Sequence, residues 1–139
     1  MALMEVNFFS KALMRPVTMN VILPVDKVFF GEETEEENKP FKTLYLLHGV
    51  MGNYTDWVTG TCIKRWAEEK NLAVVMPSGA NMFYMDHPNA NENYSEFIGK
   101  RACKDYTKNV SVISQKRRYI YCRVIHGRIR CDPKWSEIP

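Results

Sequence analysis

The sequence predicts an α/β architecture in which a mostly parallel sheet is flanked by helices. Two apolar runs carry most of that prediction. KTLYLL at 42–47 and LAVVM at 72–76 are nearly unbroken, the pattern of strands buried on both faces, as in parallel sheets. Between them TCIKRWAEEK at 61–70 has the spacing of a helix. Strand, loop, helix and strand in that order make a crossover unit whose two strands run parallel.

The elements follow in order. Residues 4–9 (MEVNFF) and 16–23 (PVTMNVIL) read as strands, the second with Val17, Met19, Val21 and Leu23 on one face. GEETEEENKP, with five Glu and a closing Pro, reads as a solvated loop rather than an acidic binding patch. The strand at 42–47 ends at His48-Gly49, and HGVMGNYTDW continues as a loop. In the helix at 61–70, Ile63, Trp66 and Ala67 share a face, and Lys64/Glu68 and Arg65/Glu69 are spaced for i,i+4 pairing. Cys62, placed on the apolar side, reads as a small buried hydrophobe. Pro77 stops the strand at 72–76. Residues 78–91 form a polar loop bearing aromatics, and a further helix starts over Tyr94 to Lys100.

With 139 residues the chain fits one small domain. Hydrophobic residues make 45% and charged ones 25%, which excludes collagen-like, low-complexity and disordered classes. No apolar run approaches the roughly 18 residues of a membrane span, and MALMEVNFFSKAL lacks the pattern of a secretory signal. The four cysteines form no C-x-x-C pair, which points to a reducing, cytoplasmic compartment.

The net charge of +3 hides a break at about Lys100. Residues 1–100 carry 9 Lys and Arg against 13 Asp and Glu, while residues 101–139 carry 10 against 3. Every Met, Phe and Leu lies before position 101, and three of the four Cys lie after it. The expected organisation is therefore a domain portion over 1–100 and an aberrant basic tail over 101–139.

LLHGVMGN sits at the C-terminal end of a buried strand, the sheet edge where sites assemble in open α/β folds. Gly49 and Gly52 let the backbone bend and aim N–H groups outward, as stabilisation of a developing oxyanion requires. TLYLLHGVMGNYTDW, LAVVMPSGANMFYMD and NYSEFIGK together resemble the esterase D and S-formylglutathione hydrolase-like esterases, α/β-hydrolases that include tributyrin and acetyl esterases. The resemblance covers about residues 3–100. It implies the N-terminal part of an α/β-hydrolase fold, incomplete. It also implies an oxyanion loop over His48, Gly49, Gly52 and Asn53, with the Val50 N–H as donor and Met51 as its neighbour. Trp57 would line the acyl side of the pocket. His48 holds the motif position without being the catalytic base.

The family nucleophile lies in G-x-S-x-G, followed in chain order by Asp and His. No G-x-S-x-G occurs here, so no catalytic residue is expected within the chain. Ser111, Ser114 and Ser136 stand outside any glycine elbow, and His126 in VIHGRIR lacks a triad context. A frame change accounts for this. One synonymous coding of residues 99–113, with one A removed from its A-run, reads GKELVKITRKMFPLS. One coding of residues 117–138, read one base later, gives EDTYIAGLSMGGYGAIRNGLKY, which contains the elbow GLSMG. The mechanism is general: every Arg codon has G in its middle position, so the shifted codon starts with G and encodes Gly, Ala, Val, Asp or Glu.

Two other classes compete. KRRYIYCRVIHGRIR is basic with interleaved aromatics, as in single-strand binders, and as a solvated tail it would bind polyanions only non-specifically. Cys103, Cys122, His126 and Cys131 lack zinc-ligand spacing, and His48, His87 and His126 are far apart. The expected function is a serine esterase hydrolysing short-chain esters or thioesters, inactive as this chain. The alternative is a non-catalytic fragment with a polyanion- or nucleic-acid-binding tail. No cofactor, metal, membrane or specific nucleic acid is expected. The partner is a small-molecule ester or thioester, and the oligomeric state is open. A tail never selected to pack should be irregular, and the strands at 42–47 and 72–76 should then have unpaired apolar edges.

Overall fold

A computed structural model describes residues 1–25, 42–90, 92–98, 119–125 and 128–132. The acidic stretch at 32–37 lies outside them. Strands β1 (Ala2–Ser10) and β2 (Arg15–Leu23) form an antiparallel hairpin in register from Ala2 opposite Leu23 to Ser10 opposite Arg15. Met14, with φ of 48°, takes the left-handed step in its turn. Strand β3 (Lys42–Leu47), helices α1 (Asp56–Gly60) and α2 (Ile63–Glu69) and strand β4 (Leu72–Pro77) make the expected crossover, with β3 and β4 parallel. A short helix α3 (Tyr94–Glu96) follows, then β5 (Tyr119–Ile125) and β6 (Arg128–Asp132). The sheet order is β1-β2-β4-β3-β5-β6.

Alternation along β3 and β4 explains their unbroken apolar runs. Tyr45, Leu47, Ala73 and Val75 join the core on one face, with Val17, Met19, Val21, Tyr94 and Phe97. Leu46, Val74 and Met76 join Ile22, Ile63 and Ala67 on the other. Both faces are covered, so neither position of the pleat tolerates a charge. Thr43 is the exception: its Oγ1 is buried and has no hydrogen-bond partner among the described residues. Replacing it with Val keeps the shape and removes the orphan hydroxyl. Thr43→Val is therefore expected to leave stability unchanged or raise it by up to about 1 kcal/mol, read as a thermal midpoint.

Several expectations are corrected. The helix expected at 61–70 is α2, starting two residues later at Ile63, and a separate short helix, α1, begins within the stretch that reads as loop; Thr61 between them has an extended backbone. The Thr61 hydroxyl donates to Trp57 O at 2.5 Å and accepts from Ile63 N–H at 3.2 Å, so one side chain closes α1 and opens α2. Cys62 sits ahead of the first turn of α2 and is exposed rather than buried. Trp66 is 48% exposed. At about 100° per residue it lies on the rim of the stripe that Ile63 and Ala67 define. The Arg65–Glu69 pair forms at 2.7 Å. The helix begun at Tyr94 is described only to Ile98.

The tail departs from expectation most. Residues 119–125 form β5, parallel to β3, and 128–132 form β6 antiparallel to β5. YIYCRVI is β-branched and aromatic, a composition that favours a strand whatever its origin. As a result β3 has β4 and β5 as neighbours, and β4 has β2 and β3. Neither has the unpaired edge expected of it. Cys122 pairs in register with Cys131, whereas Cys103 and His126 lie outside the described residues. No helix among the described residues is long and apolar enough to cross a membrane.

Candidate functional site

The parallel strands β3 and β4 end at the same sheet edge, and the loops leaving them are tied together there. Leaving β3, His48 is buried at 4% exposure. Its backbone N–H donates to Tyr84 Oη at 3.2 Å, and Tyr84 Oη in turn donates to Pro77 O at 3.5 Å, so one hydroxyl spans the ends of both strands. The His48 ring makes two further bonds. Gly79 N–H donates to Nε2 at 2.8 Å, and Nδ1 lies 2.8 Å from Gly49 O. With both nitrogens engaged on backbone, the ring has no site left to serve as a general base.

The predicted loop residues come together as one turn. Gly52 N–H donates to Gly49 O at 3.3 Å, closing Gly49–Gly52 around Val50 and Met51. Met51 holds the left-handed φ of 61° that this turn needs. Val50 is 69% exposed and Met51 88%, so the tip of the turn stands in the open, and among the described residues neither N–H meets an acceptor. Asn53 Oδ1 accepts from Thr55 N–H at 2.7 Å and from Thr55 Oγ1 at 2.6 Å, which turns the chain into α1. The following residue anchors the loop to the hairpin. Tyr54 O accepts from Asn20 Nδ2 at 3.3 Å, and Tyr54 Oη donates to Glu5 Oε2 at 3.3 Å. Desolvation and the Glu5 carboxylate both push the Tyr54 phenol above its ordinary range.

Trp57 is half-buried against the Leu46–Ile63 side of the core, and its indole N–H donates to Leu47 O at 3.3 Å. It thus holds the end of β3 as well as presenting a ring beside the loop. Among the described residues no group of three His, Cys, Asp or Glu stands close enough to hold a metal.

Two contributors were not singled out from sequence. Gly79 and Tyr84 belong to PSGANMFYMD, which read only as a polar loop. That loop is unusual in backbone: Ala80, Asn81, Phe83 and Tyr84 all have φ between 45° and 59°. Such a run of left-handed non-glycine residues is sustained only when packing and hydrogen bonds over-determine it. Here the Tyr84 ring is buried against His48, with ring centroids 5.5 Å apart, and meets Tyr94 edge-on at 6.2 Å. Gly79 lies directly on that ring: a Cβ there would stand 2.4 Å from Tyr84 Cζ. Gly79→Ala must displace an enclosed ring rather than a flexible tail, at a cost of about 1–3 kcal/mol. A calorimetric midpoint that falls accordingly is expected, and an unchanged one would show that the loop is looser than described.

The sequence and the fold resemble those of known proteins. No family model matches the chain. An acetyl esterase of Caldicellulosiruptor saccharolyticus is 43% identical over 141 residues, spanning 99% of this chain and 53% of that protein. The fluorophosphonate-binding serine hydrolase FphF of Staphylococcus aureus, solved with substrate bound, superposes with a TM-score of 0.68 at 31% identity. It covers 88% of this chain and 46% of FphF. The S-formylglutathione hydrolase FrmB of the same organism gives 0.62 at 31% identity, with the same coverage of each chain. A ferulic acid esterase gives 0.68 at 20% identity over 91% of this chain and 51% of its own, a likeness of fold alone. The chain spans about half the length of the relatives it matches. Over that span, the crossover unit and the loop joined to it have the fold of the N-terminal part of an α/β-hydrolase, and the sequence is similar to esterases of that fold.

Proposed function

We propose that these residues are the oxyanion-loop half of a serine esterase acting on short-chain carboxylic esters or on thioesters of the S-formylglutathione kind. The Val50 N–H, with the Met51 N–H beside it, receives the carbonyl oxygen as it gains charge, and Trp57 walls the acyl side. The serine attacks the acyl carbon, and a histidine takes its proton and returns it to the leaving group. The acetyl esterase, FphF and S-formylglutathione hydrolase relatives support that chemical class.

A frame shift accounts for the missing serine, and the position of β5 supports it. In the shifted frame the serine of GLSMG falls at position 125, where this chain has Ile125. Ile125 is the last residue of β5, and β5 runs parallel to β3 with Leu47 opposite Arg123. The end of β5 therefore lies at the sheet edge from which His48 and Val50 leave β3. A nucleophile at that end would face the loop that its oxyanion requires. Residues 101–139 are, on this reading, out of frame, and the 139-residue chain is inactive.

Sequencing the DNA across codons 95–120 tests the frame directly. One surplus base in an A-run, with GLSMG restored downstream on its removal, is expected. A gene that encodes the tail in an uninterrupted frame, with no elbow in the adjacent frame, overturns it. The substrate class is tested on the restored protein with p-nitrophenyl esters of increasing acyl length. Hydrolysis should be fastest for acetate and butyrate and fall for long chains.

A further inference from the structure

We infer that His48 is the positioning residue that aims the Val50 N–H, and that its own orientation is set from the neighbouring strand by Gly79. This rests on the reading of residues 48–53 as an oxyanion loop. Gly79 N–H only donates, so Nε2, 2.8 Å away, carries the lone pair. The single proton of the neutral ring is then on Nδ1, which donates to Gly49 O at 2.8 Å. The Gly49 carbonyl and the Val50 N–H belong to one peptide group. In a trans peptide the two point in opposite directions, so holding the first aims the second. Gly52 N–H holds the same oxygen from the far side of the turn at 3.3 Å.

The relay therefore runs from the β4 loop, through one imidazole, to a peptide plane on the β3 loop. The other tautomer would oppose two N–H groups at Gly79 and two lone pairs at Gly49. Gly49 has no Cβ to resist rotation of the peptide that follows it, so without the ring donor that plane is held from one side only. His48 touches no reacting atom in this scheme, and its effect is read through Val50.

Two variants separate aiming from packing. In His48→Asn the side-chain amide occupies the place of Nδ1 and still donates to Gly49 O, but does not reach Gly79. In His48→Gln the carbonyl reaches the place of Nε2 and still accepts from Gly79, but Gly49 O loses its donor. In the frame-restored esterase, His48→Gln should lower kcat toward the roughly 10²–10³-fold loss of a missing oxyanion donor, with KM little changed. His48→Asn should recover most of that loss. Equal activity in the two variants, or a better Gln variant, overturns the inference. A second readout needs no turnover. The ring nitrogens of His48, labelled with ¹⁵N in the 139-residue chain, should report a neutral ring protonated at Nδ1. An active esterase with His48 protonated at Nε2 overturns the aiming role alone. A restored protein that hydrolyses no ester overturns the esterase reading and the aiming role with it.

Discussion

Val50→Pro in the frame-restored esterase is expected to lower turnover by about 10²–10³-fold, the cost of one lost oxyanion donor. The donor is main-chain, so side-chain replacements at the same position should do little: Val50→Ala removes exposed apolar surface and leaves the N–H in place. Proline is the one residue that deletes it. Val50 is 69% exposed at the tip of a turn, where a pyrrolidine ring meets open space. Residue 49 is glycine, the least hindered of residues before a proline. The control is a thermal midpoint equal to that of the parent. A folded Val50→Pro enzyme with full kcat would show that residues 48–53 are not the oxyanion loop.

The larger effect is between the two reading frames. p-Nitrophenyl acetate should be hydrolysed by the 139-residue chain no faster than by buffer, and by the restored protein at an enzymatic rate. Loss of a nucleophile alone costs on the order of 10⁶ in kcat in a serine hydrolase, and what survives comes from an intact oxyanion hole. Here the second donor of that hole would be the N–H following the elbow serine, and no elbow exists in this chain. The nucleophile and one of the two oxyanion donors are therefore both gone, and the Val50 N–H alone does not make the hole. Measurable, saturable hydrolysis by the 139-residue chain would mean that a nucleophile outside the elbow is at work.

Much of the fold was legible because the informative strands are unbroken. KTLYLL and LAVVM have the same ends in sequence as in structure, to within one residue at Pro77, since their apolar positions run without interruption from Leu44 to Leu47 and from Leu72 to Met76. The loop at His48–Asn53 was legible for a similar local reason, the glycines at 49 and 52. What was not legible depends on neighbours distant in the chain. Tyr84 looks like any loop aromatic until the His48 N–H at the end of β3, 36 residues away in sequence, donates to its hydroxyl. Gly79 looks like a turn glycine until that ring lies on it. Trp66 and Cys62 were misjudged because a seven-residue helix turns so few side chains inward that one step of rotation decides burial. Strands β5 and β6 were not foreseen because strand formation needs composition and an open partner, not a history of selection.

The sheet order has a consequence for how the chain comes together as it is made. The β1–β2 hairpin closes locally over four turn residues, Lys11–Met14, and can form as soon as it leaves the ribosome. Strand β3 emerges next but has no seat beside that hairpin, because the neighbour of β2 is β4. Leu44, Leu46 and Leu47 must therefore wait, unpaired, until residue 77 is synthesised and β4 inserts between β2 and β3. Their other neighbour, β5, arrives some 40 residues later still, with a correspondingly larger loop to close. Translation at about 5–20 residues per second makes that a wait of seconds. During that interval an apolar strand is the most exposed part of the nascent chain, and it is there that a holding chaperone would bind.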